Sequence, residues 1–171
     1  MKRMRRPAFA AVALALALPL LTGCGAGFNA SQAIPFTNQE GVNAQTGQMR
    51  VLNAFAVDSL GSDNLGAMSF TVANQGAEQD TLTSVTVLPV QAAAATITGD
   101  ATIAPKAATT FGYGNGPSVT LTGMAAKPGT FMTVTFNFQV AGSLSMKIPV
   151  WAPSGVFKEV TPNPSISPPA G

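Results

Sequence analysis

Between about residue 50 and residue 150 the chain alternates apolar and polar positions with a period of two, which predicts strands with one buried face. In Thr130–Val140, Met132, Val134, Phe136, Phe138 and Val140 share one face, while Thr133, Thr135, Asn137 and Gln139 share the other. Leu144, Met146, Ile148 and Val150 alternate in the same way with Ser145, Lys147 and Pro149, and Phe70 and Val72 with Ser69 and Thr71. Further strands are predicted over Arg50–Asp58, Thr81–Val90, Ala94–Thr98, Thr109–Phe111 and Ser118–Leu121. Turn-forming runs separate them: Gly61-Ser62-Asp63-Asn64, Asn74-Gln75-Gly76, Gly99-Asp100, Gly112 to Pro117 and Lys127-Pro128-Gly129. Only Gln91–Ala95 offers a helical turn, and its β-branched neighbours favour a strand or loop. The pattern predicts one all-β antiparallel domain, a sandwich or barrel.

The first 24 residues break this period. A basic start (Lys2, Arg3, Arg5, Arg6) leads into an apolar stretch from Ala8 to Leu21, and small residues follow, as in a secretory signal peptide. The stretch holds about 14 residues and includes Pro19, short of the roughly 20 that a permanent membrane helix needs. Leu21-Thr22-Gly23-Cys24 resembles the lipobox of bacterial lipoproteins. Small Thr22 and Gly23 admit a peptidase to the Gly23–Cys24 bond, and the Cys24 thiol accepts diacylglycerol. The alternative is an ordinary signal peptide with Cys24 beside it by chance; the position directly behind the apolar stretch favours acylation. Each buried methylene contributes about 0.8 kcal/mol, so two or three acyl chains hold where one dissociates. The expected location is the outer face of the cytoplasmic membrane, with the membrane itself as a partner through Cys24.

This divides the chain into a signal peptide (1–23), the acylated Cys24 with a flexible tether (24–48), a β domain (49–152) and a disordered tail (153–171). The tether is rich in Gly, Ala, Asn and Gln and lacks a sustained period, and the tail has four prolines from Thr161 onward. At about 5–6 Å × √n, the tether spans on the order of 25–30 Å and lifts the domain clear of lipid head groups.

Composition narrows the functions on offer. The 171 residues are 46% hydrophobic and only 9% charged, enough for one core under a Ser/Thr/Asn/Gln surface. Four of the nine basic residues lie in the first six positions; the remaining five stand against seven acidic ones. Arg50, Lys106, Lys127, Lys147 and Lys158 are scattered singly, so no nucleic-acid partner is expected. There is no His, and one Cys excludes an internal disulfide. General-base and nucleophile–base catalysis therefore lack their usual residues, and no catalytic residue and no cofactor are expected. Asp58, Asp63, Glu78, Asp80, Asp100 and Glu159 fall in turns or at strand ends, where solvated turn chemistry accounts for them. Asp58 and Asp63 around Gly61-Ser62 lack the alternating oxygen ligands of a dedicated calcium loop.

Short segments in order carry a resemblance: Val51-Leu52-Asn53-Ala54, Phe70 through Gly76, Asp80 through Val85, Ile103-Ala104-Pro105, Val119 through Met124, and Lys127-Pro128-Gly129 leading to Val134-Thr135-Phe136. Ala141-Gly142 leading to Ile148-Pro149-Val150 completes the series. Over roughly Arg50 to Trp151 the chain resembles periplasmic copper chaperones of the PCuAC type, and more closely their actinobacterial Lpq-type lipoprotein relatives. The resemblance implies a cupredoxin-like, immunoglobulin-like β-sandwich. It also implies His and Met ligands for Cu(I), some in a His-x-Met pattern before a Leu-x-Gly that here is Leu121-Thr122-Gly123. The matching positions are Ser118 and Thr120, and the Met-containing loop expected after Thr81–Val90 is replaced by Gln91–Ala95. Neither residue supplies a soft thioether or an imidazole, so no metal site is expected. Met68, Met132 and Met146 fit core positions, whereas Met49 and Met124, near strand ends, are expected to be more exposed.

Phe111-Gly112-Tyr113-Gly114-Asn115-Gly116-Pro117 interleaves aromatics with glycines. Phe111, Tyr113 and Asn115 are candidates for a partner-contact loop; the plainer alternative is a Gly-rich turn with Phe111 tucked inward. Trp151 covers one end of the core or lies against the tail. The expected function is that of a non-catalytic binding or scaffolding module at the cell envelope, with an unidentified envelope protein or glycan as partner. The alternative is a degenerate copper chaperone or metal-homeostasis protein.

Overall fold

A computed structural model describes residues 40–61, 63–113 and 115–162. The signal segment, Gly23, Cys24, the tether up to residue 39 and the tail from residue 163 lie outside the described residues.

Ten strands follow in chain order: β1 (Val42–Thr46), β2 (Met49–Asp58), β3 (Gly66–Asn74), β4 (Asp80–Val87), β5 (Ala94–Thr98), β6 (Thr102–Ile103), β7 (Ala108–Phe111), β8 (Ser118–Thr122), β9 (Phe131–Phe138) and β10 (Gly142–Trp151). They run in the order β5-β8-β3-β2-β10-β9-β4-β6, with β1 on β2 and β7 on β3. One layer is built on the β2–β3 hairpin, the other on β4, β9 and β10. The layers are joined where Val150 and Trp151 of β10 run parallel to Ala56 and Val57 of β2. All other pairings are antiparallel. The result is a curled all-β sandwich of cupredoxin-like kind.

The alternation expected for β9 and β10 is present in full register, from Gly142 opposite Phe138 to Pro149 opposite Phe131. Met132, Val134, Phe136, Leu144, Met146 and Ile148 face inward. Across the layers Phe70 of β3 stacks on Phe111 of β7 at 4.5 Å and meets the edge of Phe136 of β9 at 4.9 Å. Fully burying a Phe contributes about 1.5–3 kcal/mol, so these rings are a main adhesive between layers.

Three boundaries differ from the sequence expectation. Residues 42–46, assigned to the tether, form β1, which turns at Gly47 (φ +54°) and pairs with β2. Its half-buried VNAQT has no large apolar residue; the ladder and two asparagine bonds hold it, Asn43 Oδ1 accepting from Asn53 N (2.7 Å) and Asn53 Oδ1 from Gly41 N (2.7 Å). At the other end, residues 153–162 are placed rather than part of a disordered tail. A 3-10 turn over Gly155–Glu159 brings Val160 against Phe55, Val57 and Ala67, on the face of β2 and β3 turned away from the main core. Trp151 stacks on Phe157 at 5.3 Å, and its Nε1 donates to the Glu40 carbonyl at 2.9 Å. Finally, β4 ends at Val87, before Pro89, and Leu88 to Ala93 form a loop.

Candidate functional site

β8 lies between β3 and β5, with Thr120 opposite Ala67 on one side and Thr96 on the other, and Ser118 opposite Thr98. Successive odd or even residues of a strand point the same way, so Ser118 and Thr120 share a face. Ser118 is half-buried and Thr120 only 1% exposed. At these two positions the strand therefore carries hydroxyl oxygens, hard donors poorly matched to Cu(I).

The loop after β4 is equally specific. The Gln91 side-chain amide binds the edge of β9 as a strand residue would: Nε2 donates to the Phe131 carbonyl (3.1 Å), and Oε1 accepts from Thr133 N (2.8 Å). The Gln91 carbonyl accepts from Ala125 N (2.8 Å) and Ala126 N (3.1 Å). Gln91 thus closes the gap that β4 leaves when it stops short of Phe131.

All five methionines among the described residues are buried: Met49, Met68, Met124, Met132 and Met146. This corrects the expectation of exposure for Met49 and Met124, each 1% exposed. A Cβ placed on Gly66 would run into the Met124 sulfur, so that thioether fills a space that only glycine leaves open. No group of three or more Cys, Asp or Glu side chains poised for a metal ion occurs among the described residues.

In the glycine–aromatic loop, Phe111 is fully buried against Phe70, not a contact residue. The chain turns sharply at Gly112 (φ +88°), where a Cβ would collide with the Met68 carbonyl. Tyr113 is 38% exposed and Asn115 exposed. Burial raises the Tyr113 hydroxyl above its ordinary value, as do the charges of Glu40 and Glu159, while a hydrogen bond with the Ser69 hydroxyl pulls the other way.

Two carboxylates expected in solvent are buried. Asp80 accepts backbone N–H bonds from Thr81 (2.7 Å) and Val140 (2.9 Å) on Oδ1 and from Ala141 (2.9 Å) on Oδ2. Asp58 accepts from Leu60 N (3.0 Å) on Oδ1. Its Oδ2 has no hydrogen-bond partner among the described residues and lies 3.8 Å from Lys127 Nζ. Asp100 behaves as a turn residue: bonds from Thr102 hold its carboxyl below its ordinary value.

No family model matches the chain, and no curated protein matches it. Solved structures do. The apo PCuAC domain from PmoF1 superimposes with a TM-score of 0.59 at 20% identity, over 66% of this chain and 100% of that domain. The copper-bound PCuAC domain from PmoF2 gives 0.55 at 18% identity over 66% and 99%, and its apo form 0.56 at 17% over 67% and 98%. The likeness is one of fold. The PCuAC-like architecture expected from the sequence is thus present.

Proposed function

We propose that the chain is an exported lipoprotein, anchored through acylated Cys24, whose PCuAC-like domain serves as a non-catalytic binding or scaffolding module on the outer face of the membrane. An Lpq-type lipoprotein relative of the copper chaperones fits this description. The observation that carries the reading is the chemistry of β8. Ser118 and Thr120 are hydroxyl residues, and the methionine sulfurs of the described residues are committed to the core. A Cu(I) carrier needs soft donors that a partner protein can reach, and this domain holds its thioethers where a partner cannot.

A second reading, copper handling through a degenerate site, is favoured by the solved neighbours, one of which is a copper-bound PCuAC domain. Cu(I) titration of the full chain against a competing chelator separates the two. The binding-module reading expects no stoichiometric uptake; one equivalent retained against the chelator, and lost on replacing Met49 or Met124 by Leu, establishes copper handling instead.

A further inference from the structure

At the end of the sandwich where β1 turns into β2, a cleft of about 440 Å³ opens between that turn, the β3–β4 loop and the β9–β10 turn. It lies within the range of about 300–1,000 Å³ typical of ligand sites. By strand direction it is at the opposite end from the loop that follows β4. We infer that this cleft binds a small organic cation: an ammonium group carried on an apolar body.

The walls supply the apolar half of that match. Ala77, Val140 and Ala141 line the cleft beside the buried Met49, and Val140, 66% exposed, stands uncovered in the β9–β10 turn. A ligand with a hydrocarbon or aromatic body removes this surface from water.

The ionisable side chains lining the cleft supply the charge, since both are acidic and no basic residue lines it. Asp80 gives three of its acceptor sites to the backbone amides of Thr81, Val140 and Ala141, so it mainly shapes the wall and adds negative potential. Glu78 is exposed, and its carboxylate is the group available to a ligand cation. With one carboxylate free, a bare divalent ion lacks the oxygen ligands it requires, whereas an ammonium with an apolar body uses both the charge and the walls.

The cleft is held in shape before anything binds. Asn74 Nδ2 donates to the Glu78 carbonyl (2.7 Å), Gly76 N donates to Asn74 Oδ1 (2.8 Å), and Gln75 N donates to the Gln48 carbonyl (2.8 Å). Gly76 keeps the passage between the two loops open: a Cβ there would stand 3.0 Å from Asn74 Oδ1 and 3.3 Å from the Gln48 Cβ. Preorganised walls lower the ordering cost of binding.

Ligand-observed NMR on the full chain in mild detergent, with detergent alone as the blank, tests this with benzylammonium, benzyl alcohol and benzoate. Benzylammonium is expected to bind best and benzoate least. Glu78→Gln, an exposed change, weakens benzylammonium about fivefold and leaves benzyl alcohol unaffected. Ala77→Trp, in the exposed loop, fills the cleft and abolishes binding of both. Equal binding of the three probes, binding of none, or binding indifferent to Glu78→Gln overturns the inference.

Discussion

Asp80 and Val140, sixty residues apart, are joined where the Asp80 carboxylate receives the Val140 backbone N–H at 2.9 Å. The same carboxylate receives the Ala141 N–H, so it stands in for the strand that the β9–β10 turn lacks there. A buried carboxylate taking several N–H bonds is compensated for its lost hydration, and removing it takes the acceptor from three part-buried donors. Asp80→Ala is therefore expected to cost about 1–2 kcal/mol, and Asp80→Asn less, because one acceptor remains. Urea unfolding checks this: an unchanged midpoint for Asp80→Ala means the turn does not depend on the carboxylate.

Phe157 bridges the C-terminal segment to the sheet, stacking on Trp151 and meeting the edge of Phe55 at 5.3 Å. Phe157→Ala removes both ring contacts and uncovers the face that Val160 shares with Val57 and Ala67. The expected loss is about 1–2 kcal/mol. Because Trp151 is the single tryptophan, its emission reports the event directly and should shift to longer wavelength as water reaches the ring. An emission spectrum identical to wild type would show that the segment does not cover Trp151 in solution.

The strands that pack on one face were legible because burial writes a period of two into sequence; β9 and β10 are the plainest cases. β1 was not, because VNAQT is held by its ladder and by Asn43 and Asn53, and backbone pairing leaves no apolar signature. Val140 continued the apolar phase of β9 yet is exposed, since Asp80 takes its N–H and the strand stops at Phe138. Asp58 and Asp80 were read as solvated for the same reason: a local turn preference is visible in sequence, and a partner forty or more residues away is not. At the candidate site, Ser118 and Thr120 were legible as residues of one strand, β8, from the alternation and the turn-forming run before it. The Gln91 amide on the edge of β9 was not, because a side chain acting as a strand has no sequence pattern.

Tyr113 is the single tyrosine, so its ionisation can be followed by ultraviolet absorbance without ambiguity. Burial, Glu40 and Glu159 all favour the neutral phenol, and the midpoint should lie above the ordinary 10.0. Glu40→Gln should lower it, and Ser69→Ala should raise it by removing the bond that favours the ionised form. The folded state holds this proton more tightly than the unfolded chain. The associated stability is thus present below the ordinary value and lost as pH rises through the folded-state midpoint. A midpoint at or below 10.0 contradicts the arrangement.

Cys24 is the chain's one thiol and carries the proposed anchor. Beyond the first six residues the basic side chains are single and outnumbered by acids, and no helix among the described residues is long and apolar enough to cross a membrane. Under the proposed lipidation, membrane affinity comes from the acyl chains, at about 0.8 kcal/mol per buried methylene. Cys24→Ala is expected to abolish incorporation of labelled palmitate and to move the protein from the membrane fraction to the soluble one. Cys24→Ser, which keeps the size of the side chain but not the thiol, should behave like Ala, because the step needs a thiolate. Equal palmitate incorporation by wild type and both variants would remove the anchor from the proposal and leave the domain's location open.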